Sequence, residues 1–179
     1  MRGCVTICRR ELSGLFLSPL AWFLLLVTLL LNGLFFLIYV TGSQGDVLFA
    51  LEASLGGAAM FWVLIVVMTP LITMRLVSEE ARDGTLEYLL TAPVSDAAVI
   101  TGKFLAATAF MAVLWVSVPI YGWIIGGLGV DPDWGQVWGG YIGAVLTSGL
   151  FVAIGLLAST STRTPLLAAF VAFIANLVW

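Results

Sequence analysis

Charged side chains are concentrated in one stretch of the sequence, residues 73–104, which reads TMRLVSEEARDGTLEYLLTAPVSDAAVITGKF. This stretch holds eight of the 17 charged residues, although the 179-residue chain is 61% hydrophobic. Carboxylate, guanidinium and ammonium groups at this density can transfer protons, bind a metal ion or dock on a charged protein surface. The rest of the chain distinguishes among these three uses.

Catalytic chemistry has little support elsewhere in the sequence. An enzyme or a proton-coupled transporter that works at membrane depth needs ionisable side chains there, and the long apolar runs contain no Asp, Glu, Lys, Arg or His. The chain also lacks a G-x-x-x-x-G-K-[ST] phosphate-binding loop, since Gly102-Lys103 is followed by Phe104. We therefore expect no catalytic and no cofactor-binding residue, and energy for any work must come from a partner that binds the charged stretch.

Cys4 and Cys8 are the only cysteines, and their spacing places them on one face of a helix. A structural metal site needs two more ligands, and the chain has no His to supply them. Both cysteines are predicted to be cytoplasmic, where a structural disulfide is not expected. We predict packing at the membrane interface and no metal; palmitoylation and redox chemistry are the alternatives.

Four uncharged runs are long enough to cross a membrane, at residues 20–40, 53–74, 104–130 and 134–162. Each reaches the roughly 18 to 20 apolar residues that span about 30 Å of hydrocarbon. A fifth run, 165–179, begins like a span but has 15 residues, so we expect the natural protein to continue with the rest of span five and a sixth span. The predicted fold is an all-α integral membrane protein, a polytopic helical bundle that forms one domain over residues 1–179.

The basic residues indicate the orientation of this bundle. All seven Lys and Arg residues lie before the first span, between spans two and three, or between spans four and five, which is one side of the membrane. Short loops rich in Lys and Arg face the cytoplasm, so the N-terminus and the charged stretch are predicted to be cytoplasmic. The external loops are then 41–52 and 130–135, and the cytoplasmic loops are 75–103 and 159–164.

The N-terminal segment has the spacing of an amphipathic helix that lies along the cytoplasmic interface. Its apolar face has steps of three and four and comprises Val5, Cys8, Leu12, Leu15 and Phe16. Ser18-Pro19 is expected to end this helix and to start the first span, because proline suits the first turn of a helix. A ragged extension of span one is the alternative.

Proline and small residues predict how the spans pack. Pro70 in span two and Pro119 in span three are each expected to kink a helix. In span four, Gly139, Gly143 and Thr147 form one row of small residues, and the row beside it is Gly140, Ala144 and Ser148. Such rows let helix backbones approach closely, either within the subunit or between subunits.

The charged stretch also carries apolar residues between two turn residues. Gly84 can end a helix in the left-handed conformation, residues 85–91 can form a short amphipathic helix, and Pro93 ends it. Its apolar face comprises Leu86, Leu89 and Leu90, and its polar face comprises Thr85, Glu87 and Tyr88. An ordinary solvated loop is the alternative, but it does not explain this apolar cluster. We predict a short coupling helix outside the membrane.

The whole stretch resembles the cytoplasmic loop of type-2 ABC transporter permeases, where E-E-x-x-x-G-T-x-E-x-L-L-x-x-P-[VI]-S precedes G-K-F-x-A at the start of the third span. RRELSGLFLSPLAWFLL resembles the interfacial helix and first span of the same family. DPDWGQVWGGYIGAVL and AIGLLASTSTRTPLLAAF resemble spans four and five of its gliding-motility-type branch. The resemblance covers nearly the whole chain.

This resemblance implies a permease subunit of an ATP-driven exporter in a bacterial or archaeal plasma membrane. Such subunits usually have six spans, pair with a second permease subunit of the same or a related kind, and are driven by a separate cytoplasmic ABC ATPase dimer, which holds the ATP and Mg. The residues that would couple to the ATPase are Glu79, Glu80, Gly84, Thr85, Glu87, Tyr88, Leu89, Leu90 and Pro93. This chain would itself hold no cofactor.

Two other readings use the same residues. A membrane scaffold or assembly protein could recruit a cytoplasmic partner through the charged stretch without transporting anything. A membrane enzyme is disfavoured because the spans lack ionisable residues. Membrane lipid is an expected partner in every case, and nucleic acid in none.

Overall fold

The computed structural model describes residues 2–74, 76, 96–162 and 164–178, and every regular element in these ranges is a helix. In chain order the elements are α1 (Arg2–Leu17), α2 (Pro19–Gly42), α3 (Val47–Glu52), a π-helical turn (Ala53–Gly57), α4 (Ala59–Thr73), α5 (Asp96–Trp115), α6 (Ser117–Gly127), α7 (Trp134–Ser161) and α8 (Pro165–Val178). The predicted all-α class is confirmed for the described part of the chain.

Four helical segments are long and apolar enough to cross a membrane: Pro19–Gly42, Val47–Thr73, Ala97–Gly127 and Trp134–Ser161. They overlap the four long runs of the sequence, because an apolar segment in hydrocarbon must satisfy its backbone internally, as a helix does. The second segment begins at Val47 and the third at Ala97, before the predicted starts at 53 and 104. Helix α8 lies at the place of the predicted fifth span. Its 14 residues cover about 21 Å at about 1.5 Å per residue, which is less than the hydrocarbon thickness.

The predicted external loop 41–52 is wrong in extent, because helix α3 already begins at Val47. The carboxylate of Asp46 accepts a hydrogen bond from the backbone N–H of Phe49 (3.1 Å), and this cap stabilises the helix start. Glu52 consequently lies at a helix end, where it accepts a hydrogen bond from Nε2 of Gln136 (3.1 Å). Only residues 43–46 connect α2 and α3.

The second spanning segment is interrupted between α3 and α4. Gly56 has a φ of +132°, and Leu55 before it is also outside the helical region. Such a positive φ is strained for a residue with a side chain and is open to glycine. The pair Gly56-Gly57 signals this break in the sequence, but the long apolar run conceals it.

The two prolines behave differently. Helices α5 and α6 are separated at Val116, three residues before Pro119, so the predicted break lies where it was expected. Pro70 lies inside α4, and the described helix continues through it to Thr73. The kink expected at Pro70 stays a prediction, since residues 77–95 lie outside the described part of the chain.

Helix α7 is the centre of the bundle and packs against α4, α5 and α8. Ser148 on this helix accepts a hydrogen bond from the indole N–H of Trp115 (2.9 Å), and the Trp115 ring lies 4.7 Å from that of Phe61. The row Gly140, Ala144 and Ser148 faces the interior, whereas Gly139 and Gly143 are exposed. The two rows of small residues therefore have different surroundings, and the inner row serves packing within the subunit.

Gly155 lies where α7 packs tightly against α4. A Cβ atom placed on Gly155 would overlap the side chain of Thr73, whose hydroxyl donates to the carbonyl of Thr69 (3.0 Å). Thr73 is β-branched and stiff, so it cannot easily move aside. Glycine at residue 155 therefore sets the spacing of the two helices.

We expect Gly155→Ala to lower the thermal unfolding midpoint of the detergent-purified chain by several degrees, since overpacking costs about 1–3 kcal/mol. Gly14→Ala on α1 is the control, because Gly14 is exposed and a Cβ there has no atom within 4 Å. Intrinsic tryptophan fluorescence during heating measures both variants. Equal midpoints for the two alanine variants would contradict the proposed spacing role.

Candidate functional site

The predicted coupling residues lie outside the described residues, and their roles stay predictions. They are Glu79, Glu80, Gly84, Thr85, Glu87, Tyr88, Leu89, Leu90 and Pro93. The structure does describe both ends of the stretch that carries them. Leu76 follows α4 at one end, and α5 begins at Asp96 at the other. The candidate site is therefore the base of the charged stretch, where Leu76 and the start of α5 lie.

Lys103 on α5 connects three parts of the chain at this base. Its ammonium group donates to the backbone carbonyl of Leu76 (2.6 Å) and lies 3.1 Å from Oε1 of Glu11 on α1. The Lys103 side chain is 2% exposed and that of Glu11 is 15% exposed. One buried cation thus holds the residue that follows α4, the first turns of α5, and α1 together.

The charge of Lys103 requires particular partners around it. A buried ammonium group is strongly disfavoured unless an anion and hydrogen-bond acceptors surround it. Glu11 supplies the anion, and the Leu76 carbonyl supplies a neutral acceptor just beyond the end of α4. Removal of one partner leaves the other buried without compensation, so the three parts are coupled in free energy as well as in space.

Helix α1 lies closely against the start of α5. A Cβ atom on Gly102 would come within 2.9 Å of Cγ2 of Ile7 and 3.1 Å of the Cys4 carbonyl oxygen. Further along, the rings of Phe16 and Phe110 meet edge to face at 5.3 Å. Glycine at residue 102, directly before Lys103, allows the approach that brings Glu11 within reach of the lysine.

The packed face of α1 differs from the predicted one. Val5 is 68% exposed, while Cys4, Ile7 and Glu11 lie on the half-buried stripe with Cys8 and Leu12. The apolar spacing predicted a packed face that included Val5 and left out Glu11, because Glu11 is polar. The sequence did contain a signal for the ion pair: Glu11 is a single carboxylate among the apolar positions of α1, and Lys103 lies near the start of a later helix.

The two cysteines are free and half-buried. Cys4 Sγ lies 3.5 Å from Oγ1 of Thr101, at hydrogen-bond distance. Burial raises the pKa of the Cys8 thiol, and the neighbouring Cys4 raises it further, so the reactive thiolate is disfavoured. In the part of the chain that the structure describes, no group of three or more His, Cys, Asp or Glu could hold a metal ion. The arrangement fits the packing role predicted for both cysteines.

Comparison with known proteins gives one match. A family model described as "ABC-2 family transporter protein" matches residues 39–178, which is well over half of the chain. No curated protein and no solved structure matches the chain. The matched range includes Leu76, the whole charged stretch and Lys103, whereas Glu11 precedes it.

We expect Lys103→Met to destabilise the folded chain by about 1–3 kcal/mol, because it leaves the part-buried Glu11 carboxylate without its cation and the Leu76 carbonyl without its donor. The double variant Glu11→Met/Lys103→Met should recover most of this loss but not all, since the Leu76 carbonyl still lacks its donor. Thermal unfolding of each purified variant measures the cycle. Arg9→Gln removes a charge from the exposed face of α1 and should change little; equal losses for Arg9→Gln and Lys103→Met would refute the account of the pair.

Proposed function

The chain belongs to the ABC-2 family of transporter proteins, and on this premise we propose that it is the permease subunit of an ATP-driven exporter of the gliding-motility-type branch. Family membership and four spanning-capable helices make it a multi-pass membrane component of a transport system. In the proposed role, a separate cytoplasmic ATPase binds the charged stretch and drives substrate movement through the spans.

The observation that carries this proposal is the buried contact of Lys103 with Leu76 and Glu11 at the base of the stretch. Force applied to a loop moves a span only if the junction between them is stiff. Here the two ends of the stretch are held together by one hydrogen bond of 2.6 Å, so a push on the stretch acts on α4 and α5 as one unit. A solvated connector does not require a buried ion pair at its base.

The contact with the ATPase is proposed to use the residues predicted from the sequence. Leu89 and Leu90 would seat in an apolar groove of the ATPase, with Tyr88 beside them. The acidic side chains of Glu79, Glu80 and Glu87 would meet basic residues around that groove, which favours association rate and specificity. Gly84 and Thr85 would start the docking helix, and Pro93 would end it.

The proposed route of the motion runs from this junction into the bundle. Helix α5 continues to the break at Val116, beyond which α6 starts with Pro119 in its first turn. On the other side, α4 leads to the interruption at Gly56. A helix interrupted in this way can change direction without losing its remaining hydrogen bonds, which suits a hinge.

Assembly with a second permease subunit, of the same or a related kind, is also proposed. Gly139 and Gly143 are exposed on α7, and a Cβ at either position has no atom within 4 Å. This outer row of small residues supports a close helix contact between subunits. ATP and Mg would belong to the ATPase subunits.

The proposed location is a bacterial or archaeal plasma membrane with a cytoplasmic N-terminus. We expect a cysteine placed at Ser43 or Asp131, in a Cys4→Ser/Cys8→Ser background, to react with an impermeant maleimide on intact cells. Asp131 is preferred to Asp133, because Asp133 caps α7 through the N–H groups of Gly135 and Gln136. Labelling of Asp83→Cys in intact cells, with no labelling of the other two positions, would show that the chain has the opposite orientation.

Docking is tested by Leu89→Asp in the ATPase complex that co-purifies with the wild-type chain. The variant should express normally yet lose ATPase binding and permease-dependent ATP turnover in proteoliposomes, because a charge enters the buried part of the contact. Leu89→Met keeps an apolar side chain of similar size and should retain both. If the wild-type chain binds the ATPase but ATP turnover does not depend on the permease, the chain is a scaffold. If Leu89→Asp retains both binding and permease-dependent turnover, the coupling role is refuted.

A further inference from the structure

A cavity of about 700 Å³ opens on the outer surface of the bundle between α4, α7 and α8. Its described lining is largely aliphatic and aromatic, with Trp62 and Val66 on α4, Phe151 on α7 and Phe173 on α8. The polar residues in that lining are Thr147 and Asn176. Ligand-binding pockets typically have this size and this mixture of apolar walls with few polar groups.

Asn176 is the unusual member of this lining. Its side chain is 2% exposed, and neither its amide nitrogen nor its amide oxygen has a hydrogen-bond partner among the described residues. Thr69 and Ser148, by contrast, each donate to the carbonyl four residues earlier, and Asn176 is the side chain for which both a nitrogen and an oxygen are unpartnered among the described residues. An amide with no partner in an apolar environment is costly, and polar residues inside membrane helices commonly mark binding sites or transport routes.

The depth of Asn176 limits what can bind it. Asn176 lies 11 residues beyond the start of α8, or about 16 Å along it at about 1.5 Å per residue. This places the amide near the middle of about 30 Å of hydrocarbon. Ordinary acyl chains carry only carbon and hydrogen at that depth and cannot satisfy an amide. A matching ligand must bring a polar group to the middle of the membrane.

We propose that this cavity binds an uncharged, lipid-like amphiphile whose hydroxyl or amide group forms hydrogen bonds with Asn176. No charged side chain is present in the described lining, so an ionised group would be buried there without compensation. Both amide atoms are shielded in the structure, and binding therefore requires rotation of the Asn176 side chain towards the cavity. That this ligand is the exported substrate rests on the proposed function, whereas the binding itself does not.

Photo-crosslinking in lipid nanodiscs tests the binding with the chain alone, in the absence of any ATPase. The probe is a methyl octadecanoate that carries a diazirine and a mid-chain hydroxyl, and its comparison is the same molecule without the hydroxyl. We expect the hydroxylated probe to label the α7 and α8 peptides that line the cavity at least about threefold more. Asn176→Leu should abolish this preference while the protein remains folded, because an unpaired buried amide is replaced by an apolar group.

Asn32→Leu is the control, since Asn32 is a second buried asparagine with an unpartnered amide nitrogen but lies on α2, outside this cavity. It should leave the preference unchanged, and Thr147→Val should reduce it in part. Equal labelling by both probes in the wild-type chain, or an undiminished preference in Asn176→Leu, would overturn the proposal. So would a disulfide-linked dimer through Leu150→Cys that excludes both probes, which would assign the cavity to a second copy of the chain. Loss of the preference in a chain that includes the expected sixth span would also overturn it, and would assign the cavity to that span. Because no ATPase is present, none of these results depends on the outcome of the docking experiment.

Discussion

In a chain this apolar, each buried polar group must find its hydrogen-bond partner within the protein, because the hydrocarbon of a membrane offers none. Most of the described polar side chains meet this requirement within their own helix: Thr69, Thr73 and Ser148 each return to a carbonyl four residues earlier. Such bonds fix no tertiary contact. Lys103 cannot be satisfied in that way, because an ammonium group needs an anion as well as a carbonyl. Its pairing with Glu11 and Leu76 therefore determines how α1, α4 and α5 meet.

This requirement also relates the structure to its proposed role. In the proposed role, this subunit contributes to transport by moving, and the ATPase drives that movement at the base of the charged stretch. The described residues provide a stiff junction there, at Lys103, and interruptions within the spans at Gly56 and Val116. Stiffness at the point of contact and flexibility within the membrane are what a force-driven permease needs. Asn176, whose amide has no hydrogen-bond partner among the described residues, borders the cavity between α4, α7 and α8 in which we propose that a ligand binds.

The sequence was sufficient for the helices and insufficient for the contacts between them. Long uncharged runs predict spanning helices, because a helix of about 20 apolar residues both crosses the hydrocarbon and satisfies its own backbone hydrogen bonds. The start of α3 was misplaced because the N-cap at Asp46 was counted as part of a loop. Glu11 was overlooked because a periodicity argument discards polar residues on an apolar face. The partnership of residues 11 and 103 depends on tertiary packing at Gly102, which no local pattern encodes.

If the buried junction transmits force from the ATPase to the spans, a chain without the ion pair should bind the ATPase but fail to drive it. Permease-dependent ATP turnover is measured in proteoliposomes with the Glu11→Met/Lys103→Met chain, in which apolar side chains replace the ion pair and most of the stability is retained. We expect this variant to bind the ATPase as the wild-type chain does, yet to stimulate turnover at least about tenfold less, because Leu76 and α5 are no longer held together. Wild-type turnover from a stable double variant with a bound ATPase would contradict this expectation.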